Sequence, residues 1–179
     1  MIKLATFLAA SLVTAGVAVA AAPAAPAPAP TATPAGSFKD WNFFTAGDGG
    51  SKTCFIASQP KDSKYSKPAS GRDPAFFQIT TIPSKNIHNE ASSIVGYTFA
   101  ADAAVVADVD GTQFKMFLDA SYPDTTWAQP DQEAALVTAM RHGHVLTLTG
   151  ISKRKTTITD TYSLSGLGAA LDAMTKGCQ

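Results

Sequence analysis

The chain has 179 residues and a formal net charge of zero, with fourteen Lys and Arg against fourteen Asp and Glu. Such a balance excludes a strong global pull toward nucleic acid or anionic lipid. With 45% hydrophobic and 16% charged residues, composition also excludes a largely disordered chain and allows one buried core.

Residues 1–20 join a single cation, Lys3, to an apolar stretch from Leu4 and a small-residue end, the three-part pattern of a secretory signal peptide. Ala18 and Ala20 supply the small pair for a cut after Ala20. A retained membrane anchor is the competing reading, because the stretch from Ile2 approaches the roughly 20 residues that span a bilayer. Cleavage removes Lys3 and leaves thirteen basic groups (14 − 1) against fourteen acidic ones, with no integral membrane span in the rest. Residues 21–37 read as a Pro/Ala-rich linker. Positions 21–36 hold five of the eleven prolines and no charge, a composition that cannot bury a core and behaves as an extended tether. The folded body is then one domain, 38–179.

From Phe38 the pattern turns to short β-rich runs separated by Gly, Pro, Asn and Asp. Strands are expected at 38–46, 52–59, 75–82, 92–99, 104–109, 112–118, 144–152 and 156–164. The segment 60–74 between the second and third carries Lys61, Lys64, Lys67 and Arg72 around Tyr65; it reads as a solvated loop or as a binder of an anionic polymer. Asp110-Gly111 suits a type I′ hairpin turn, since both central residues need positive φ. A second hairpin turns at Lys153, Arg154 and Lys155, which sets three cations on one strand connection. Between the hairpins, Asp131 is placed to cap a helix running to about His142, with Leu136, Val137 and Met140 on its apolar face. A last helix starts near Ser165. The class is therefore mainly β: an antiparallel sandwich or partly closed barrel with two short helices packed on it.

Cys54 and Cys178 are the only cysteines, and an exported chain folds where disulfides persist. A Cys54–Cys178 disulfide is the first expectation, two free thiols the alternative. Leu167, Ala170, Leu171, Met174 and Cys178 follow helical spacing, which turns the Cys178 sulfur toward the core.

No catalytic, cofactor or metal constellation stands out. His88, His142 and His144 lack a third ligand of suitable spacing, and no Gly-x-Ser-x-Gly is present. Asp108 and Asp110 echo the start of a calcium loop but lack its closing Glu; turn chemistry accounts for them. Phe38, Trp41, Phe43, Phe44, Phe55, Phe76 and Phe77 read as core, with any exposed ones available as a ligand or partner patch.

Several short motifs recur in order: Asp40-Trp41 before Cys54, Ser58-Gln59-Pro60, Arg72-Asp73-Pro74-Ala75, Asn89-Glu90 and Gly96-Tyr97. Further on come Leu136-Val137-x-Ala139-Met140-Arg141-x-Gly143, Gly150-x-Ser152-x-Arg154, Asp160-Thr161-Tyr162-Ser163-Leu164-x-Gly166 and Ala169-Ala170-Leu171-Asp172. In these the body, from Phe38 to Cys178, resembles the invasion-associated locus B family of exported bacterial proteins. Two positions depart from it: Lys155 stands where Gly is expected and Leu167 where Phe is expected, and the first implies a different turn geometry. The resemblance implies a periplasmic, secreted or surface-exposed envelope protein of a Gram-negative bacterium, associated in some members with host-cell invasion and virulence. Its partner would be a protein or another envelope component, and the resemblance supplies no catalytic residue. The alternative is an extracytoplasmic enzyme or enzyme inhibitor whose site is assembled from distant residues.

Overall fold

The computed structural model describes residues 31–68 and 70–179; the signal peptide expected at 1–20 and the first part of the linker lie outside the described residues. In chain order the elements are β1 (Thr33–Phe38), β2 (Trp41–Ala46), β3 (Thr53–Ser58), β4 (Asp62–Tyr65), β5 (Phe76–Ile82), β6 (Ile87–Ile94), β7 (Val105–Val109), β8 (Thr112–Leu118) and β9 (Thr125–Ala128). They continue with α1 (Glu133–His142), β10 (Val145–Ile151), β11 (Thr157–Ser163) and α2 (Leu167–Gly177). The strands form one sheet in the order β1-β2-β3-β5-β6-β9-β8-β7-β10-β11-β4, every neighbouring pair antiparallel. The fold is mainly β with two helices, as expected, and the sheet is not closed into a barrel.

Period-two alternation drives each strand onto the core. Phe77 and Ile79 of β5, Ile56 of β3, and Leu146 and Leu148 of β10 are buried, while the residues between them face outward. The sheet bends far enough to bring distant strands together: the Phe77 ring meets the Tyr162 ring of β11 edge-on at 5.8 Å, and Trp41 Nε1 donates to the Ser163 carbonyl at 3.0 Å. The two helices cover the core, α2 against β1, β2 and β3, and α1 against β6, β7 and α2. Leu136 and Met140 of α1, and Leu167, Ala170, Leu171 and Met174 of α2, are the buried stripes. Leu167 fills its place completely, with no exposure.

At the end of α2 the expected disulfide is present: Cys178 is bonded to Cys54 of β3, with their Cα atoms 5.9 Å apart. Both residues are buried, so the last helix is fixed to the third strand at its very end.

Four expectations need correction. Eight strands were expected and eleven form: the additions are β1, β4 and β9, and β6 spans 87–94 rather than 92–99. β1 begins inside the expected linker because backbone pairing with β2 tolerates Pro34 on an edge strand, where a bulge between Pro34 and Gly36 absorbs the missing N–H. Asp131 does not cap α1. Gln132 stands at the N-cap without a side-chain cap bond, and its Oε1 instead accepts the Lys115 N–H at 2.9 Å.

The fourth correction concerns Lys155. Lys155 N donates to Ser152 O at 2.7 Å and Ser152 N to Thr156 O at 2.9 Å, so residues 152–155 make a tight turn followed by a left-handed residue, the common three-residue hairpin connection. Lys155 occupies that left-handed position, at φ 59°; the turn keeps the geometry a glycine would take and lysine adopts it at a cost. Lys155→Gly is therefore expected to stabilise the protein by about 0.5–1 kcal/mol, read as a higher urea midpoint. The Lys155–Asp102 ion pair that it removes is 3.3 Å long with both side chains largely exposed, and such pairs contribute little.

The other hairpin is as expected. Asp110 and Gly111 have φ 49° and 94°, and Val109 faces Thr112 across the turn.

Candidate functional site

After β4, which pairs with Ile158–Thr161 of β11, the described residues 66–68 and 70–74 lie along the sheet rim. Thr157 clamps the start of this stretch: Ser66 N donates to Thr157 O at 2.9 Å, and Thr157 N to Ser66 Oγ at 2.9 Å. Its end is held by Asp73 N donating to Gly96 O at 3.1 Å. Gly96 sits at φ +68°, and a Cβ there would overlap the Asp73 carbonyl; only glycine permits this approach.

Between the two clamps Arg72 turns inward. Its Nε donates to Val95 O at 2.7 Å, and its Nη1 and Nη2 donate to the two oxygens of Asp160 at 2.7 and 2.5 Å. Asp160 is 1% exposed and also accepts the Ser63 hydroxyl at 2.6 Å. The guanidinium lies 5.3 Å from the centre of the Tyr97 ring, within cation–π range. Burial opposes the charge on Arg72, but hydrogen bonds and attraction from Asp160 outweigh it and hold the guanidinium above its ordinary pKa. Burial likewise pushes the Tyr97 hydroxyl up.

Above this locked pair opens a groove of about 420 Å³, walled by Tyr65, Tyr97, Thr98 and Thr156 and rimmed by Lys153 and Arg154. Both rim cations are exposed, and among the described residues neither has an ion-pair partner. Asp73 also lines the groove. With Arg72 neutralised by Asp160, the lining keeps two free cations against one carboxylate. The basic 60–74 segment and the three-cation hairpin, separate in the sequence, thus meet in one place. The segment is not a plain solvated loop, because it contains β4 and the Arg72 anchor.

The histidines do not converge. His88 is exposed and 3.3 Å from Asn86 Oδ1. His144 Nδ1 lies 3.5 Å from Asp110 Oδ2, but its side chain is 90% exposed and does not line the groove. Among the described residues no group of three or more His, Cys, Asp and Glu is arranged to hold a metal. Turn chemistry uses Asp108 as expected, its Oδ1 accepting the Gly111 N–H at 2.8 Å, whereas the Asp110 carboxylate reaches out of the turn and accepts the N–H groups of His144 and Val145 at 2.8 and 3.0 Å. Of the aromatics, Trp41, Phe43 and Phe77 are core, whereas Phe44 and Phe55 stack at 5.1 Å on the outer face.

Glu133, near the start of α1, does something the sequence did not suggest: its Oε1 accepts the Ala91 N–H of β6 at 3.0 Å. Burial raises its pKa. A carboxyl raised in the folded state binds more protons there than in the unfolded chain, so stability falls as pH rises from its ordinary value through the raised one. Glu133→Gln keeps the acceptor and removes the charge. It is expected to flatten that fall, measured as urea midpoints between about pH 4 and about pH 7.

Chemically the groove offers free cations, hydroxyls and two tyrosine rings. Its serine near the rim, Ser152, has Oγ engaged as acceptor to Thr156 N at 3.2 Å, with no histidine beside it. Such a lining binds and orients. Asp160 and Tyr97 are the two residues that sequence reading attached no role to beyond motif membership; the only available signal was an Asp alternating with apolar positions on a strand, at a place where a buried residue was due.

The family model for "Invasion associated locus B (IalB) protein" matches residues 41–175. Among solved structures, the chain is similar to invasion associated protein B from Bartonella henselae, at 13% identity and a TM-score of 0.52, covering 79% of this chain and 95% of that one. No curated protein matches.

Proposed function

The chain belongs to the invasion associated locus B family, and from that premise we propose that it is an exported envelope protein that works by binding an anionic ligand, not by catalysis. Export rests on the signal-like residues 1–20 and on a disulfide whose persistence needs an oxidising compartment. Among the described residues no helix is long and apolar enough to cross a membrane. The proposal places the protein in the periplasm or on the cell surface, with residues 21–32 as tether and a role at the envelope or in host-cell invasion.

The observation that carries the reading is the pair of unpartnered cations, Lys153 and Arg154, at the rim of a groove whose floor is already neutralised by Arg72 and Asp160. A cation without an internal partner gains more from an incoming anion than one that must first break a pair. Retention on immobilised heparin, a generic polyanion, tests it. Lys153→Ser/Arg154→Ser is expected to elute at clearly lower salt than the unsubstituted protein, while Lys115→Ser/Lys176→Ser, with the same loss of charge elsewhere, elutes close to it. Equal elution of the two double variants would refute a localised anion site.

A further inference from the structure

Beside the groove lies a second basin of about 570 Å³, and the two share Thr98 and Lys153. The second differs in character. Its floor is Phe99 and Ala100, both nearly buried, and Leu118, Tyr122 and Pro123 wall it. The floor is rigid for a backbone reason: residues 98–100 are bonded on both sides, Phe99 N to Pro123 O at 2.8 Å, Ala100 N to Ile151 O at 2.9 Å, and Lys153 N to Thr98 O at 2.8 Å. Its edge carries Lys155, already paired, and a carboxylate, Asp119, that keeps its charge. Asp102 holds Lys155 at 3.3 Å, and Asp119 accepts the Ser121 N–H at 2.8 Å.

Among the described residues Lys153 is the one free cation that borders both spaces, with anion-binding groups on one side of it and an apolar trough on the other. A lysine at such a boundary lays its methylenes on the apolar side and its ammonium on the polar side. We propose that the two basins form one site for an anionic lipid taken as a single molecule: its headgroup is held by Lys153 and Arg154 in the groove, and its alkyl chain lies over Phe99 and Ala100 between Leu118 and Tyr122. This rests on the anion-binding reading above and adds the apolar half of the ligand. A polysaccharide or a soluble phosphate would fill the groove and leave the trough in water; a lipid uses both.

Affinity for a chain-length series separates these cases. Each fully buried methylene is about fourfold in affinity, so a trough that half-covers four of them gives roughly fifteenfold. The probes are inorganic phosphate, octyl phosphate and octanol, each below its aggregation point, with the amide resonances of the labelled protein as readout. Octyl phosphate is expected to bind at least about tenfold more tightly than phosphate and to shift the amides of Thr98, Ala100, Leu118 and Lys153 together. Tyr122→Asp, at a side chain that is 57% exposed, and Ala120→Asp each place a charge against the chain without touching the core. Both are expected to abolish the octyl advantage and leave phosphate binding unchanged, whereas Lys153→Ser/Arg154→Ser weakens phosphate and octyl phosphate alike. Equal binding of phosphate and octyl phosphate overturns the lipid site, as does equal binding of octyl phosphate and octanol. Absence of an octyl advantage in the unsubstituted protein, with its heparin retention intact, overturns the lipid site alone; heparin elution unchanged by Lys153→Ser/Arg154→Ser overturns the anion reading beneath it.

Discussion

Replacing Arg72 by alanine is expected to lower the unfolding free energy by about 3–5 kcal/mol, because it strands a carboxylate inside the protein. Asp160 is 1% exposed; without the guanidinium its only remaining partner among the described residues is the Ser63 hydroxyl. Removing the opposite member is milder. With Asp160→Ala, Arg72 keeps its bond to Val95 O and its seat over Tyr97, and its side chain still has 13% exposure through which to recruit water. Replacing both, as Arg72→Met/Asp160→Leu, leaves no buried charge, and the double variant is expected to recover at least half of the loss. With the matching singles Arg72→Met and Asp160→Leu the cycle closes with a coupling of roughly 1–3 kcal/mol, measured by urea unfolding. Additive single losses would mean that the pair is not coupled in the folded protein. Because Arg72→Ala also leaves the Asp160 charge uncompensated beneath the groove, the variant is expected to elute from heparin at lower salt even where it remains folded.

The second large effect is on the disulfide. Cys54→Ala/Cys178→Ala opens a loop with a sequence separation of 124, for which the chain-entropy relation assigns up to about 5 kcal/mol. Domains of this size hold about 5–15 kcal/mol in total, so the double variant retains a small remainder and is expected to unfold at much lower urea. Amide exchange should localise part of the change. The last turn of α2 is tied to the sheet through Cys178 on one side and through Met174 and Leu171 packing on the other, so residues near 174–178 lose protection first. A loss below about 1 kcal/mol would show that burial alone fixes α2.

The strands that sequence reading located are those with four or more residues of clear alternation. β8 was legible to the residue and β7 to within one, because Asp110-Gly111 dictates both the turn and the register. α2 was legible because Leu167, Ala170, Leu171 and Met174 mark one face. β4 and β9, each of four residues, were not. Asp62–Tyr65 is all polar or amphipathic and becomes a strand only because β11 offers it an unpaired edge; Thr125–Ala128 is held between β6 and β8. Both owe their form to neighbours far away in the chain, which no local pattern records. The same reason hid the site. Lys153 and Arg154 were noticed as cations on a turn and Arg72 as one cation among several, but the contact between Arg72 and Asp160, 88 positions apart, decides which cations are consumed internally and which stay open. The Phe117–Trp127 stack at 5.8 Å was likewise unseen, since each residue faces outward from a different strand.

Strand order carries one more implication, for the timing of synthesis. β4 follows β3 in the chain yet sits at the opposite edge of the sheet, beside β11. A nascent chain that has made β4 must go on for about ninety residues before the strand it docks on exists. The groove, floored by a residue of β11 and rimmed by the turn that precedes it, is consequently a late product of folding, and any fragment ending before Thr157 has the basic segment but nowhere to seat it. Premature truncation would silence ligand capture outright, however much of the early sheet had already formed.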